Sequence, residues 1–192
     1  HPTAIDRKFN LEREIPELEV EQLLEELLEH PVRRDLAAVL ASQLGRPLEA
    51  HDIYFDDLFE ARPAEELNAT VKAHFADEHE FQAKLPEVLR GLGYSEEDAE
   101  FLGTRVRVEI ARGSGHAMRP QLPEYGAWLR TNRLKDDLGW DGFDTAMHEL
   151  GHNLEQLCST HFVPRPVLRG VPNTACTEAF AFLYQSLAKR VL

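Results

Sequence analysis

The residues best suited to chemistry stand in the string HELGH at positions 148–152. Residues four positions apart lie on the same face of a helix, so the imidazoles of His148 and His152 can bind one Zn²⁺. Glu149 can then act as a general base on a water molecule that the metal activates. Apolar neighbours such as Met147 and Leu154 favour a buried helix that holds the ligands rigidly. The alternative is a surface helix on which the two histidines form an ordinary i,i+4 pair.

The third ligand is predicted on the next helix. Residues 172–174 (PNT) mark a helix start, and Glu178 follows in an otherwise apolar helical segment. A carboxylate on such a face is costly to bury without a partner, and a metal ion is one such partner. A capping interaction with the helix N-terminus is the alternative role for Glu178. His161 is a weaker choice, because the glycine of the metzincin pattern is missing before it. We therefore predict that His148, His152 and Glu178 bind the metal.

These motifs also carry a family resemblance. HELGH at 148–152, followed by TEAFAF at 177–182, resembles the zinc-binding core of gluzincin metallopeptidases of the thimet oligopeptidase and oligoendopeptidase F family. The resemblance covers residues 140–185 and implies a zinc-dependent peptidase whose ligands are the two histidines and the glutamate of the following helix.

A looser resemblance concerns the segment before the motif. GSGHAMRP at 113–120 and YGAW at 125–128 are similar to the glycine-rich edge segment beside the cleft of that family. We expect His116 and Tyr125 there as groups that contact substrate or stabilise an oxyanion. The alternatives are a solvent-exposed loop histidine for His116 and a packed aromatic ring for Tyr125.

The sequence departs from the pattern of that family in one respect. The family places a catalytic tyrosine and histidine well downstream of its zinc glutamate, whereas this sequence ends at Leu192. The sequence begins with His-Pro and ends within an apolar helical pattern, which is typical of a piece of a longer polypeptide. Either the two downstream groups are missing or other residues replace them, and this affects peptidase turnover rather than zinc binding. Two alternatives stay open: a non-catalytic zinc-stabilised helical domain for binding or regulation, and a metal-free helical interaction module.

The length, composition and charge of the chain limit the classes of protein to which it can belong. The sequence has 192 residues, a hydrophobic content of 43% and a charged content of 29%, as expected of a globular protein with a substantial core. A formal charge of −13 argues against nucleic-acid binding, which requires a basic surface. No apolar run is long enough to span a bilayer, so no membrane partner is predicted. The sequence does not identify the cellular compartment, although it favours the cytoplasm. It does not indicate an oligomeric state either.

Periodicity and capping signals predict the elements that must position the site. Leucines at helical spacing predict a helical hairpin in residues 1–50, formed by helices over 19–30 and 31–43, with the leucines in its core. Residues 51–192 are predicted to form a zincin-like domain with helices over 63–75, 78–90 and 95–110, the second one broken or kinked at Pro86. Residues 111–133 are predicted as a loop with a short strand near 125–130, and residues 141–145 as a turn and cap before the zinc helix.

Together these features predict a mainly α-helical zincin-like domain, which allows a small β-hairpin at its edge. We expect it to hold one Zn²⁺ and to hydrolyse peptide substrates with Glu149 as general base.

Overall fold

The computed structural model describes residues 2–4, 6–7, 15–52, 63–132, 137–170 and 174–192. Within these residues there are seven α-helices and one three-stranded mixed sheet, which confirms the mainly helical class. The helices are α1 Glu17–Glu29, α2 Val32–Leu44, α3 Ala64–His74, α4 Glu78–Gly91, α5 Glu96–Gly103, α6 Gly139–His161 and α7 Thr174–Ser186. The strands are β1 Val106–Ile110, β2 His116–Met118 and β3 Ala127–Thr131. None of the described helices is long and apolar enough to cross a membrane.

The chain divides into two units, residues 1–62 and residues 63–192. The first unit contains α1 and α2, and the second contains all the other elements. The predicted boundary after residue 50 stays a prediction, and the apolar connector at 53–62 lies outside the described residues.

The two helices of the first unit form where the leucine periodicity predicts them, but their leucines do not form a core. None of the residues of α1 or α2 is buried. Leu18 and Leu27, for example, are 71% and 69% exposed. The prediction of a leucine core is therefore wrong for this unit. An amphipathic repeat shows that a helix has an apolar face, but it does not show what covers that face.

Side-chain caps begin two helices of the second unit. The Asp77 carboxylate accepts hydrogen bonds from the backbone N–H groups of His79 and Glu80 at the start of α4. The Ser95 hydroxyl accepts one from the N–H of Asp98 at the start of α5. Both caps satisfy backbone donors that have no partner inside the helix. The predicted break at Pro86 does not occur, because Pro86 lies inside the uninterrupted α4.

The predicted helix over 95–110 is too long, since α5 ends at Gly103 and a strand follows. Val106 and Val108 are buried, whereas Arg107 between them is exposed. This alternation has the period of two that is typical of a strand, and the branched valines favour it. The acidic start of α5 therefore predicts where the helix begins, but not where it ends.

The sheet has the strand order β1-β3-β2. β1 pairs in parallel with β3, and β2 pairs antiparallel with β3, with His116 opposite Arg130 and Met118 opposite Trp128. The expected edge hairpin is thus present as β2 and β3, and β1 extends it to three strands. On the far side, the N–H of Val108 donates to the Gln82 side chain of α4. β2 is the opposite edge of the sheet, and both β2 and β3 pack against α6.

The core of the second unit lies between α6 and the elements around it. Phe143 of α6 packs against Phe75 and Phe81, with ring centroids 5.5 and 5.8 Å apart. The α6 helix begins at Gly139, earlier than the predicted cap at 141–145, and the N–H of Trp140 donates to the Asn68 side chain of α3. The start of α6 is therefore held by a partner that is distant in sequence, which explains why local capping signals misplace it.

Candidate metal centre

The predicted zinc motif lies in the middle of α6. The apolar face of this helix is fully buried and includes Met147, Leu150 and Leu154. His148 and His152 lie on an adjoining face, where their side chains are 19% and 15% exposed. Their ring centroids are 4.9 Å apart. The rigid, buried part of the helix therefore presents both imidazoles together at the surface of a cleft, as the i,i+4 spacing predicts.

The third predicted ligand comes from α7. One carboxylate oxygen of Glu178 lies 3.5 Å from Nε2 of His148, and the other lies 3.5 Å from Nε2 of His152. The three side chains form a possible metal-binding group, whose ligand atoms all lie within 4.8 Å of one another. The structure thus brings together all three residues that the sequence singles out.

The three side chains can lie together because α6 and α7 approach each other closely. A Cβ atom added at Gly151 would lie 2.6 Å from Cα of Ala181 and 3.1 Å from the carbonyl oxygen of Phe180. Only glycine allows the backbone of α7 to lie so near to α6. Ala181 is three residues after Glu178, so the contact at Gly151 sets the position of the turn that carries the carboxylate.

The donor set suits a divalent metal ion such as Zn²⁺. Two imidazoles and one carboxylate are a common catalytic combination, which leaves the fourth position open. For Zn–N and Zn–O bonds of about 2.0–2.1 Å, the edge of a ligand tetrahedron is about 3.3–3.4 Å. The two separations of 3.5 Å are close to that edge, although they involve different oxygens of Glu178; with one donor atom per residue, the three donor atoms lie within 4.8 Å of one another. The donors therefore suit a divalent cation in chemistry and in approximate spacing.

The protonation of His152 also suits a metal ligand. Burial lowers the pKa of His152, although the neighbouring Glu178 carboxylate opposes the shift. The ring is therefore neutral near pH 7, and a neutral imidazole has the lone pair that a metal requires.

A side-chain relay fixes the orientation of His148. Its Nδ1 lies 3.0 Å from Oε1 of Gln185, and Nε2 of Gln185 donates to Asp144 at 2.6 Å. Because Asp144 requires a donor, the amide oxygen of Gln185 faces the histidine, and Nδ1 must therefore carry the proton. The lone pair of His148 is then on Nε2, which faces Glu178. Such outer partners hold a ligand in the tautomer and orientation that bind the metal.

Glu149 is buried beside His148, at 8% exposure. Burial raises its pKa, while the neighbouring imidazoles of His148 and His116 oppose the shift. The residue lines a cleft of about 350 Å³ together with the three donors, residues 115–117 and Gln156. A carboxylate in this position can exchange a proton with a water molecule or a substrate in the cleft.

Gly115 makes room for Glu149. A Cβ atom at Gly115 would lie 2.6 Å from Oε1 of Glu149 and 2.5 Å from Cγ2 of Thr145. The segment that leads into β2 therefore passes directly over the first turns of the motif. It forms one wall of the cleft next to the carboxylate.

The remaining predicted groups lie in different places. His116 lines the cleft of Glu149, in the strand next to the motif. Tyr125 is 57% exposed and does not belong to the residues that line this cleft. His161 lies at the far end of α6, where its ring packs edge-on against Phe101 at a centroid distance of 5.1 Å. The structure thus brings His116 to the metal group, but not Tyr125 or His161.

Sequence reasoning missed Gln185 and the packing roles of Gly115 and Gly151. Gln185 lies seven residues after Glu178, which is two helical turns, so both side chains occupy one face of α7. That spacing was a signal that could have identified it. The glycine contacts depend on which segments cross, and nothing in the local sequence specifies this.

Comparison of the chain with known protein families, with curated proteins and with solved structures found no match. The function of this chain must therefore be inferred from the geometry of this site and from the chemistry of its residues.

Proposed function

We propose that this protein is a zinc-dependent metallopeptidase of the gluzincin type. The observation that carries the proposal is the pair of 3.5 Å separations between Glu178 and the two histidines, in the cleft that also contains the Glu149 carboxylate. The combination of HELGH and TEAFAF, which resembles the thimet oligopeptidase and oligoendopeptidase F family, supports the same class.

His148, His152 and Glu178 are the residues that would hold the ion. When bound, Zn²⁺ supplies Lewis acidity, which polarises a substrate carbonyl and makes a water molecule more acidic. The relay through Gln185 and Asp144 keeps His148 in the ligating tautomer.

Glu149 acts as the general base. Burial raises the pKa of its carboxyl group toward neutral pH. A group whose pKa is near the working pH can both accept and return a proton. It accepts the proton of the attacking water and passes it to the nitrogen of the leaving amine. Attack by the water forms the new C–O bond at the carbonyl carbon, and the C–N bond of the peptide then breaks as its nitrogen receives the proton.

Substrate binds along the β2 edge of the cleft. An outer strand has backbone N–H and C=O groups that can pair with an extended peptide as an added strand. His116 lies on β2 and lines the cleft, so it is the side chain best placed to contact the substrate carbonyl oxygen or the oxyanion. Tyr125 lies outside the cleft lining and is not assigned this role.

The decisive experiment is the substitution Glu149→Gln. It preserves the shape of the side chain but removes the base, so we expect zinc content to be retained and peptide cleavage to be lost. A digest of a peptide mixture by the zinc-loaded protein, with and without a chelator, measures cleavage, and elemental analysis measures zinc. Asp141→Asn is the matched control, because it makes the same carboxyl-to-amide change at an exposed position on α6.

The outcomes separate the alternatives. Undiminished cleavage by the Glu149→Gln variant would refute the role of this residue. Bound zinc without cleavage by the unmodified protein would instead favour a zinc-stabilised binding or regulatory domain. Protein that retains less than about 0.2 equivalents of zinc after mild purification would favour a metal-free helical module, because complete zinc sites hold the ion tightly.

A further inference from the structure

A second cavity adjoins the metal group on the side of His148. It has a volume of about 460 Å³, and we call it the Trp140–Phe182 pocket. Six residues line it: Trp140, Asp144, Phe182, Gln185, Ser186 and Lys189. The aromatic ring of Phe182 is its exposed wall, with 59% of the residue accessible, and Trp140 of α6 provides the other ring.

The pocket lies directly beside the metal ligand. The ring of Phe182 packs edge-on against the ring of His148, with a centroid distance of 5.0 Å. Gln185, which also lines the pocket, is hydrogen-bonded to Nδ1 of the same histidine. A single ligand side chain therefore separates the pocket from the metal group. Consecutive Cα atoms of a peptide are only about 3.8 Å apart, so the side chains that flank a carbonyl at the metal are the parts of a substrate nearest to His148 and to this pocket.

The polar side chains of the pocket are already engaged by the protein. Gln185 uses its oxygen for His148 and its nitrogen for Asp144. The Ser186 hydroxyl donates to the carbonyl oxygen of Leu183 at 2.7 Å. The Lys189 ammonium lies 5.8 Å from the centroid of the Trp140 ring, within the range of a cation–π interaction. What the walls offer to an incoming group is therefore mainly aromatic surface.

We infer that the Trp140–Phe182 pocket binds a large aliphatic or aromatic side chain of the substrate, at a residue that flanks the scissile bond. The inference rests on the proposed peptidase function and names the class of substrate: peptides with an apolar residue next to the cleaved bond. Burial of an apolar side chain between Trp140 and Phe182 removes both surfaces from water, which is the source of the selectivity.

The first test is the sequence preference of cleavage. The zinc-loaded protein digests a peptide mixture, and mass spectrometry identifies the residues on both sides of each cut. We expect large apolar residues at one flanking position to be favoured over alanine by about tenfold or more, the usual range for an apolar pocket. In Phe182→Ala this preference should fall to about threefold or less, because one wall is lost. Phe182→Leu should retain it.

Leu183→Ala is the matched control. Leu183 is an apolar residue on α7 with a similar exposure of 52%, but it does not line the pocket. This variant should keep the wild-type preference. Zinc content is measured for every variant, because Phe182 contacts a metal ligand. Cleavage without any preference for apolar flanking residues, or an equal loss in Leu183→Ala, would overturn the inference and leave the peptidase function standing.

A binding measurement distinguishes failure of the pocket from failure of catalysis. Phenylalanine hydroxamate and alanine hydroxamate carry the same metal-binding group and differ only in the side chain. Zinc-loaded protein should bind the first about tenfold more tightly, and Phe182→Ala should reduce the ratio. Such discrimination without peptide cleavage supports the pocket and refutes the turnover. Equal affinities overturn the pocket, and protein that does not retain zinc overturns both.

Discussion

Gly151 should control the affinity for zinc, although it is not a ligand. A methyl group at this position would lie 2.6 Å from Cα of Ala181, whereas carbon atoms in contact are about 3.5–4.0 Å apart. The backbone cannot move aside locally, so Gly151→Ala should displace α7 by about 1 Å. Ala181 is one turn from Glu178, and the carboxylate should move with it.

The magnitude follows from the spacing of the ligands. A shift of about 1 Å would extend the present 3.5 Å separations well beyond the edge of a zinc tetrahedron, while metal–ligand distances tolerate only about 0.2 Å. Even loss of an outer partner typically costs 10–100-fold in affinity, so displacement of a ligand should cost at least about tenfold. Two opposing effects on folding partly cancel. Overpacking costs about 1–3 kcal/mol, and replacement of glycine by alanine within a helix returns about 1 kcal/mol.

The assay is competition for zinc against a chromophoric chelator at equilibrium, together with thermal unfolding of the metal-free protein. Gly91→Ala is the matched control. Gly91 also lies in a helix, but a Cβ atom there would meet only Val191, at 4.0 Å. We expect the control to keep full zinc affinity and to be slightly more stable. Wild-type zinc affinity in Gly151→Ala would refute the conclusion that the close approach of the helices sets the metal geometry.

Three further predictions concern the surroundings of the site. Gly115→Ala should displace the Glu149 carboxylate and lower kcat while zinc affinity is kept, because the new methyl would lie 2.6 Å from its Oε1. Ser114→Ala at the neighbouring exposed position is the control, and unchanged peptidase kinetics in Gly115→Ala would contradict the prediction. Gln185→Ala should weaken zinc binding by about 10–100-fold, because His148 loses the partner that fixes its tautomer. Chelator competition measures this, and an equal loss in Leu183→Ala would point to a general effect on α7. Burial raises the pKa values of Tyr94 and Tyr184, whose hydroxyls are hydrogen-bonded to each other. The folded protein therefore holds these protons more tightly than the unfolded chain, so the free energy of unfolding should fall as the pH rises above about 10. Urea unfolding at pH 8 and pH 11 measures the fall, which should be smaller in a Tyr94→Phe, Tyr184→Phe double variant. An equal fall in the double variant would refute the assignment.

The sequence predicts the two histidines of the possible metal-binding group well because their arrangement is local. His148 and His152 are related by one turn of a single helix, and helical geometry alone places them together. Glu178 required one further assumption, that the next helix packs against the first. Its carboxylate in an apolar helix was the physical signal for that assumption.

Features that depend on tertiary packing were not predictable in this way. Asn68 caps the start of α6 from another helix, so residues 141–145 look like a cap although they lie inside α6. The alternating valines of β1 follow an acidic helix start, and helix propensity extended the prediction through them. In α1, the leucine pattern predicts an apolar face correctly but not its burial.

Within the HELGH string, Gly151 has a packing role that is separate from metal binding. A glycine inside a helix costs about 1 kcal/mol relative to alanine, so its presence in the buried interior of α6 contradicts local propensity. Such contradictions are expected where a functional arrangement requires them. Here the missing side chain admits the backbone of α7 at Ala181, and α7 carries Glu178, Gln185 and Phe182. The absence of a side chain at Gly151 therefore allows α7 to place Glu178 beside the two histidines, Gln185 beside His148, and Phe182 in the wall of the Trp140–Phe182 pocket.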